Sequence, residues 1–232
     1  MSVLNFSADA RRTMDALKAG GIAVFPNDVG YTIAGGSAES LTRIFNAKMR
    51  APTKLNAMVG DMAIHRDLHV LDTRGREMVS AIVDDYDLPL GCIAPYRTDS
   101  PLIQALDPAA VTGSTRDGTL AMLINAGHFH AALTKLSREE NFPIFGSSCN
   151  FTNTGTKFRV EDIPTELLDL ADVVVDYGLR KYHLYQRSAT LINFANMEVI
   201  RVGSCYELIS DVLRRHFHVE LPQTDLKVAA AV

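Results

Sequence analysis

Lys48 and Arg50 stand two positions apart where a helical pattern runs out into Ala51-Pro52. Two cations at that spacing converge on one polyphosphate only if the chain leaves helical geometry there, and a residue before proline is biased to leave it. The pair equally suits an ordinary last helical turn, where cations complement the dipole. A second group, Gly146-Ser147-Ser148-Cys149-Asn150, follows an apolar run. Hydroxyls, an amide and glycine-freed N–H groups at a strand's carboxyl end suit a phosphate or small polar substrate, although a plain polar turn has the same composition. A third is Pro26-Asn27-Asp28-Val29-Gly30-Tyr31. There Asp28 could hold an amine or a metal-bound water and Tyr31 could wall a pocket or stack on a base, with a capped glycine turn as the structural alternative.

Weaker signals accompany these. In a strand, His128 and His130 would share one face, but no HExxH and no third ligand accompanies them, so no metal site is expected. Cys149 lacks an identifiable base and reads as a small buried hydrophobe. Tyr177, Tyr182 and Tyr185 lie beside Arg180, Lys181 and Arg187, a set that could stack a base or form a solvated loop.

The elements that must position these groups alternate in type. A helix from Ser7 with Ala10, Met14 and Leu17 on one face stops at Gly20-Gly21, and a strand covers Ile22 to Phe25. Pro26 is expected to break that strand and leave Asn27 to Gly36 as a loop, before Ser37 caps a helix through Met49. Asn56 to Val59 and Cys92 to Tyr96 read as strands, Arg74 to Tyr86 as an amphipathic helix, and Ser100-Pro101 opens a short one to Leu106. Thr119 to Ile124 is a strand followed by the helix HFHAALTKL, and Pro143 to Gly146 is another strand. A helix to Leu170, a strand Val173 to Asp176 and a β pair (Thr190 to Phe194, Val199 to Val202) follow. Ser204 and Glu207 have capping-box spacing for a last helix ending near His216. Such interleaving without linker or repeat predicts one α/β domain over residues 1–215 and a tail over 216–232.

The chain has 232 residues, 47% hydrophobic and 22% charged, with a net charge of −4 from 23 basic and 27 acidic residues. That is an ordinary globular composition, and the acidic balance argues against a protein built mainly to coat nucleic acid. Three scattered cysteines fit a reducing compartment. With no apolar run of membrane length and no signal-like N-terminus, a cytoplasmic location and no membrane partner are expected.

Six ordered blocks resemble the YrdC-type threonylcarbamoyl-adenylate synthase domain and its YciO-like paralogues. They are GGIAVFPNDVGY ending at Tyr31, Lys48-Met49-Arg50-Ala51-Pro52 with Asn56, the run Gly118 to Ile124 through Met122, Ser148-Cys149-Asn150 with Gly155, Ala189-Thr190 to Asn193, and Arg201-Val202-Gly203. The resemblance implies a twisted open mixed sheet with flanking helices and a concave, positively lined cavity. It implies condensation of L-threonine, bicarbonate and ATP, with Mg2+, to threonylcarbamoyl-adenylate and pyrophosphate, for modification of tRNA by a partner transferase. Lys48 and Arg50 would then bind the triphosphate, with Asn56 in the same block. Ser148, Asn150, Thr190 and Arg201 would line the nucleotide site, and Asp28 and Tyr31 would border the threonine and bicarbonate end. In this alignment the family's strand arginine falls on Met122, its serine on Ala189 and its threonine after Pro26 on Asn27. Arg187 and Ser188 are the nearest replacements for the lost groups. The Asp28 loop is closer to the YciO branch, so a diverged nucleotide- or RNA-binding paralogue, or an enzyme using another amine, is the alternative.

Overall fold

The computed structural model describes residues 3–49 and 54–223. Helix α1 (Phe6–Lys18) is capped by Asn5, whose side chain accepts from the Ala8 N–H, and it buries Ala10, Met14 and Leu17 as its spacing predicts. Strands β1 (Ile22–Asn27) and β2 (Gly30–Gly35) follow. The expected loop at 27–36 is therefore a hairpin, with Asn27 paired to Gly30 and Pro26 to Tyr31. Pro26 does not break β1. Carbonyls of Ile22 and Val24 face away from β2, taking the N–H groups of Asp172 and Val175. By the same alternation the missing Pro26 N–H belongs to the side away from β2, so no hairpin bond is lost. Gly30, at φ 116°, turns the chain where other residues are strained.

Helix α2 (Ala38–Ala47) has Ser37 and Ser40 in a reciprocal cap and ends at Lys48, with Met49 left-handed at φ 47°. Strand β3 (Ala57–Val59) leads to α3 (Met62–Leu68), a short helix capped by Asp61 that the sequence pattern did not reveal. Helix α4 (Thr73–Ser80) widens into a π-helical turn over Ala81–Asp85. Then come β4 (Leu90–Pro95), α5 (Pro101–Gln104), α6 (Pro108–Thr112), β5 (Thr115–Arg116), β6 (Thr119–Ile124), α7 (His128–Glu139) and β7 (Phe145–Ser148). The chain closes with α8 (Thr165–Leu168), β8 (Val173–Val174), β9 (Leu191–Asn193), β10 (Glu198–Arg201) and α9 (Tyr206–Phe217).

His128 and His130 start the helix expected for HFHAALTKL, where two-residue spacing separates their side chains; His128 is exposed and His130 buried. One local expectation is corrected. The Ser204/Glu207 capping box does not form. Ser204 Oγ donates to the Arg187 carbonyl at 2.6 Å, Glu207 accepts from the Tyr185 hydroxyl, and left-handed Cys205 precedes α9 instead. Tertiary partners take both groups that the local motif would have used.

The sheet runs β10-β9-β4-β6-β3-β7-β2-β1-β8, with β5 paired on β6. Its β3–β6, β4–β9 and β1–β8 pairs are parallel and the others antiparallel, so it is the open mixed sheet expected. One face carries Ile33, Met58, Cys92, Met122 and Ile192 in the larger core cluster, with residues of α2, α3, α4 and α9. On the other face α1 and α7 pack over Ala23, Phe25, Ala34 and Val59. Each large apolar side chain so buried contributes roughly 1.5–3 kcal/mol. That second cover stops short of β6, β4 and β9, where half-exposed Ala121, Leu123 and Leu191 remain. Past residue 215, Leu221 is buried and the Tyr206 hydroxyl donates to the Pro222 carbonyl.

Candidate functional site

The uncovered half-face floors a cavity of about 230 Å³. Strand alternation decides which side chains reach it. In β6, Leu120, Met122 and Ile124 are buried while Ala121 and Leu123 are half-exposed on the opposite face. Met122 borders the cavity, but its side chain is wholly buried in the larger core, with its thioether over Gly60. Alignment with a cavity arginine would point Met122 into the cavity, and the structure corrects this: Ala121 and Leu123 are the β6 side chains on that face, and Leu123 packs with Val29, Ala126 and Ala189.

The polar rim begins at Lys48. The end of α2 brings its side chain, only 4% exposed, to β7, where Nζ donates to Ser147 Oγ at 2.8 Å and to the Ser148 carbonyl. Ser148 Oγ donates in turn to Asn150 Oδ1 at 2.5 Å, and Asn150 Nδ2 to the Phe151 carbonyl at 2.6 Å. Thr152 Oγ1 holds the Lys48 carbonyl at 3.1 Å, fixing the helix end against the loop. Lys48, Ser148 and Asn150 all line the cavity, so these sequence-predicted residues are brought together. Arg50 lies outside the described residues.

Across the cavity stand Ser188, Ala189 and Arg201. The Arg201 guanidinium donates through Nε and Nη2 to the Ala189 carbonyl at 3.0 and 2.8 Å. The residue is exposed as a whole, and desolvation of its guanidinium against the rim draws its pKa below the ordinary value. Gly203 lets this segment lie against Ser188 to Thr190, since a Cβ there would sit 2.3 Å from the Ser188 carbonyl oxygen. Thr190 does not face the cavity: fully buried, it donates to the Ser204 carbonyl and accepts from the Gly203 N–H. Its work is to hold the rim in place.

Other predicted residues are engaged elsewhere. Asp28, at the hairpin tip, pairs with Arg180 at 3.3 Å and Lys181 at 4.0 Å. Burial pushes its carboxyl up against the pull of those cations. Tyr31 is fully buried, and its hydroxyl contacts Asp176 at 3.0 Å and the Gly178 carbonyl at 2.9 Å; burial and Asp176 raise its pKa to about 12. Neither lines the cavity. Asn56 is buried beside β3 with Nδ2 directed at the Gly113 carbonyl, 3.4 Å away. Arg187 is exposed and outside the lining, whereas its neighbour Ser188 is within it. Lys181 lies over the Tyr182 ring at 5.0 Å, so that cation–π contact is internal.

Lys54, Thr32 and Thr152 line the cavity although their spacing carried no motif. For Lys54 a signal existed: it extends the cationic run begun at Lys48 and precedes β3. Among the described residues, the lining contains no aspartate or glutamate. Cys149 is fully buried, and burial raises its thiol to about 12, which fits a small buried hydrophobe. The site can therefore bind an anion and seat an apolar group.

No curated protein sequence matches the chain. Among solved structures, P. abyssi Sua5 complexed with L-threonine superposes with TM-score 0.71 at 17% identity, covering 91% of this chain and 59% of that one. E. coli YciO matches with TM-score 0.64 at 16% identity, covering 87% and 92%. A hypothetical protein from Streptococcus mutans UA159 matches with TM-score 0.59 at 24% identity, covering 72% and 64%. The chain thus spans about three-fifths of the length of the Streptococcus protein and of Sua5. The family described as "Telomere recombination", Sua5/YciO/YrdC, matches residues 15–203. With the open mixed sheet and half-covered face already established, this match over most of the chain shows that it belongs to the Sua5/YciO/YrdC family.

Proposed function

We propose that this protein condenses ATP, bicarbonate and an amino acid, threonine by default, into a carbamoyl-adenylate and pyrophosphate. The observation carrying this reading is Lys48 seated on Ser147 and the Ser148 carbonyl at the edge of an apolar floor. Lys54 and Arg201 add positive charge to the same lining, where no described residue is a carboxylate. Such a rim suits a triphosphate. Likeness to a Sua5 structure holding L-threonine supports the choice of amino acid.

The amine attacks bicarbonate, water leaves, and the resulting carbamate oxygen attacks the α-phosphorus, expelling pyrophosphate. The protein has to orient reactants and neutralise phosphate charge rather than supply a nucleophile. Mg2+, when bound with the nucleotide, would supply further neutralisation of phosphate charge, while Lys48, Lys54 and Arg201 would hold the anion. Arg50, two residues from Lys48, would add a cation by family resemblance. The adenylate would serve tRNA modification by a transferase in the cytoplasm.

The experiment is an omission series: pyrophosphate release from ATP should require Mg2+, bicarbonate and amino acid together, with the adenylate seen by mass spectrometry. Release that ignores bicarbonate sinks the reaction class. Leu123 on the floor favours a second reading, a nucleotide- or RNA-binding paralogue without synthase activity, since no β6 cation meets developing charge. Binding of ATP or structured RNA with no adenylate formed would select it.

A further inference from the structure

On the opposite, core-facing side of the sheet, three side chains converge that the cavity does not use. His65 lies within α3, His69 is the residue that ends that helix, and Cys92 lies on β4. All three are buried, at 2%, 6% and 0% exposure. The imidazoles meet edge to face with their Nδ1 atoms 2.9 Å apart. One nitrogen of each ring and the Cys92 sulfur lie within 4.8 Å of one another.

A neutral histidine pair sharing one Nδ1 proton leaves an N–H on one Nε2 and a lone pair on the other. His69 Nε2 is buried without a well-formed hydrogen bond, and the Leu120 main chain is its nearest polar neighbour. The His69 end of the pair is thus under-satisfied, which a well-packed core normally avoids.

We propose that His65, His69 and Cys92 bind a single thiophilic closed-shell cation, Cu+ or Zn2+. Two imidazoles and a thiolate are the donors such ions prefer, and the absence of a carboxylate from the trio disfavours Mg2+ and Ca2+. Bonds of about 2.0–2.1 Å to nitrogen and about 2.3 Å to sulfur set donor separations of roughly 3.3–3.6 Å around a tetrahedral centre. Ligation through both Nδ1 atoms would open the imidazoles by a few tenths of an ångström, and Cys92, within 4.8 Å of them, would draw in by at most about 1 Å. His69, extended at ψ 138° where the helix ends, is free of the helical constraint on such a shift.

On binding, two metal–nitrogen bonds and one metal–sulfur bond form. The Cys92 thiol proton leaves to solvent, the shared imidazole proton moves to its own ring's Nε2, and no oxidation state changes. A ligating histidine commonly donates its other N–H to a carbonyl, a role the Leu120 main chain is positioned to fill. Met122 stands directly across from Cys92 in the β4–β6 ladder, on the same buried face, and a thioether there favours Cu+. The ion would pin α3 to β4 beneath the strand whose other face floors the cavity.

The test uses the full chain, reduced and freed of metal by a chelator, titrated with Zn2+ alone and with Cu+ alone against a competing chelator. Co2+ serves as the spectroscopic stand-in. One equivalent should bind with sub-micromolar affinity, and Co2+ should give a thiolate charge-transfer band. Cys92→Ala and His69→Gln should weaken binding about 100-fold, while Cys149→Ala and Cys205→Ala bind like the parent. The cobalt band is read on the unaltered chain, so it decides even if Cys92→Ala does not fold. No band at one equivalent, or a band abolished by Cys149→Ala or Cys205→Ala, overturns the site.

Discussion

Lys48 and Ser147, 99 residues apart in the chain, meet through an Nζ–Oγ hydrogen bond of 2.8 Å at the cavity edge. Removing this ammonium should cost binding more than folding, because its charge faces the proposed phosphate site. Lys48→Met is expected to weaken ATP binding at least about tenfold, or about 1.4 kcal/mol, by titration calorimetry. Unchanged affinity in a folded variant would show that the cavity is not the nucleotide site.

The two faces of β6 predict opposite outcomes for neighbouring substitutions. Met122→Arg forces a guanidinium into the core and should destabilise the fold by roughly 3–5 kcal/mol, read by denaturant unfolding. Leu123→Arg places the same charge on the half-exposed face, and should leave stability within about 1 kcal/mol while tightening ATP binding. Equal stability losses would refute the assignment of faces.

Arg187 and Arg201 are both exposed, but only Arg201 lines the cavity. Arg187→Ala should therefore retain turnover within about twofold, and Arg201→Ala should lower it at least about tenfold, measured as pyrophosphate release. The reverse order would restore Arg187 as the replacement cation.

His130 is 1% exposed, and burial lowers its pKa from 6.5 to about 4. The unfolded chain binds this proton more readily than the native one. The native-state advantage is complete above pH 6.5 and is lost as the pH falls toward 4, on the order of 3 kcal/mol in full. Denaturant midpoints of His130→Phe should fall less steeply over that window than those of the parent. Parallel curves would mean that His130 is not buried neutral.

Gly203→Ala should destabilise by about 2–4 kcal/mol, because its Cβ would sit 2.3 Å from the Ser188 carbonyl oxygen. The same shift should disturb Ala189 and Arg201 at the rim, so unfolding and ATP affinity should both suffer. Parent-like stability would show that the two segments part easily.

What the sequence determined by itself was local. Alternating and helical periodicity marked β6 over residues 119–124 and the buried face of α1, and Ser37 announced its helix. The order of Lys48, Ser148, Asn150 and Arg201 within family blocks named four residues that line one cavity. Tertiary structure decided what depended on partners distant in the chain. Pro26 stays in a strand because its N–H side is not the β2 side, and Ser204 leaves its cap for the Arg187 carbonyl. Asp28 and Tyr31 read as site residues until Arg180, Lys181 and Asp176 claimed them. Alternation separates Met122 from Leu123 in any strand, but it cannot say which face is open. That follows from where α1 and α7 end their cover of the sheet, a fact of packing between elements that no local pattern carries.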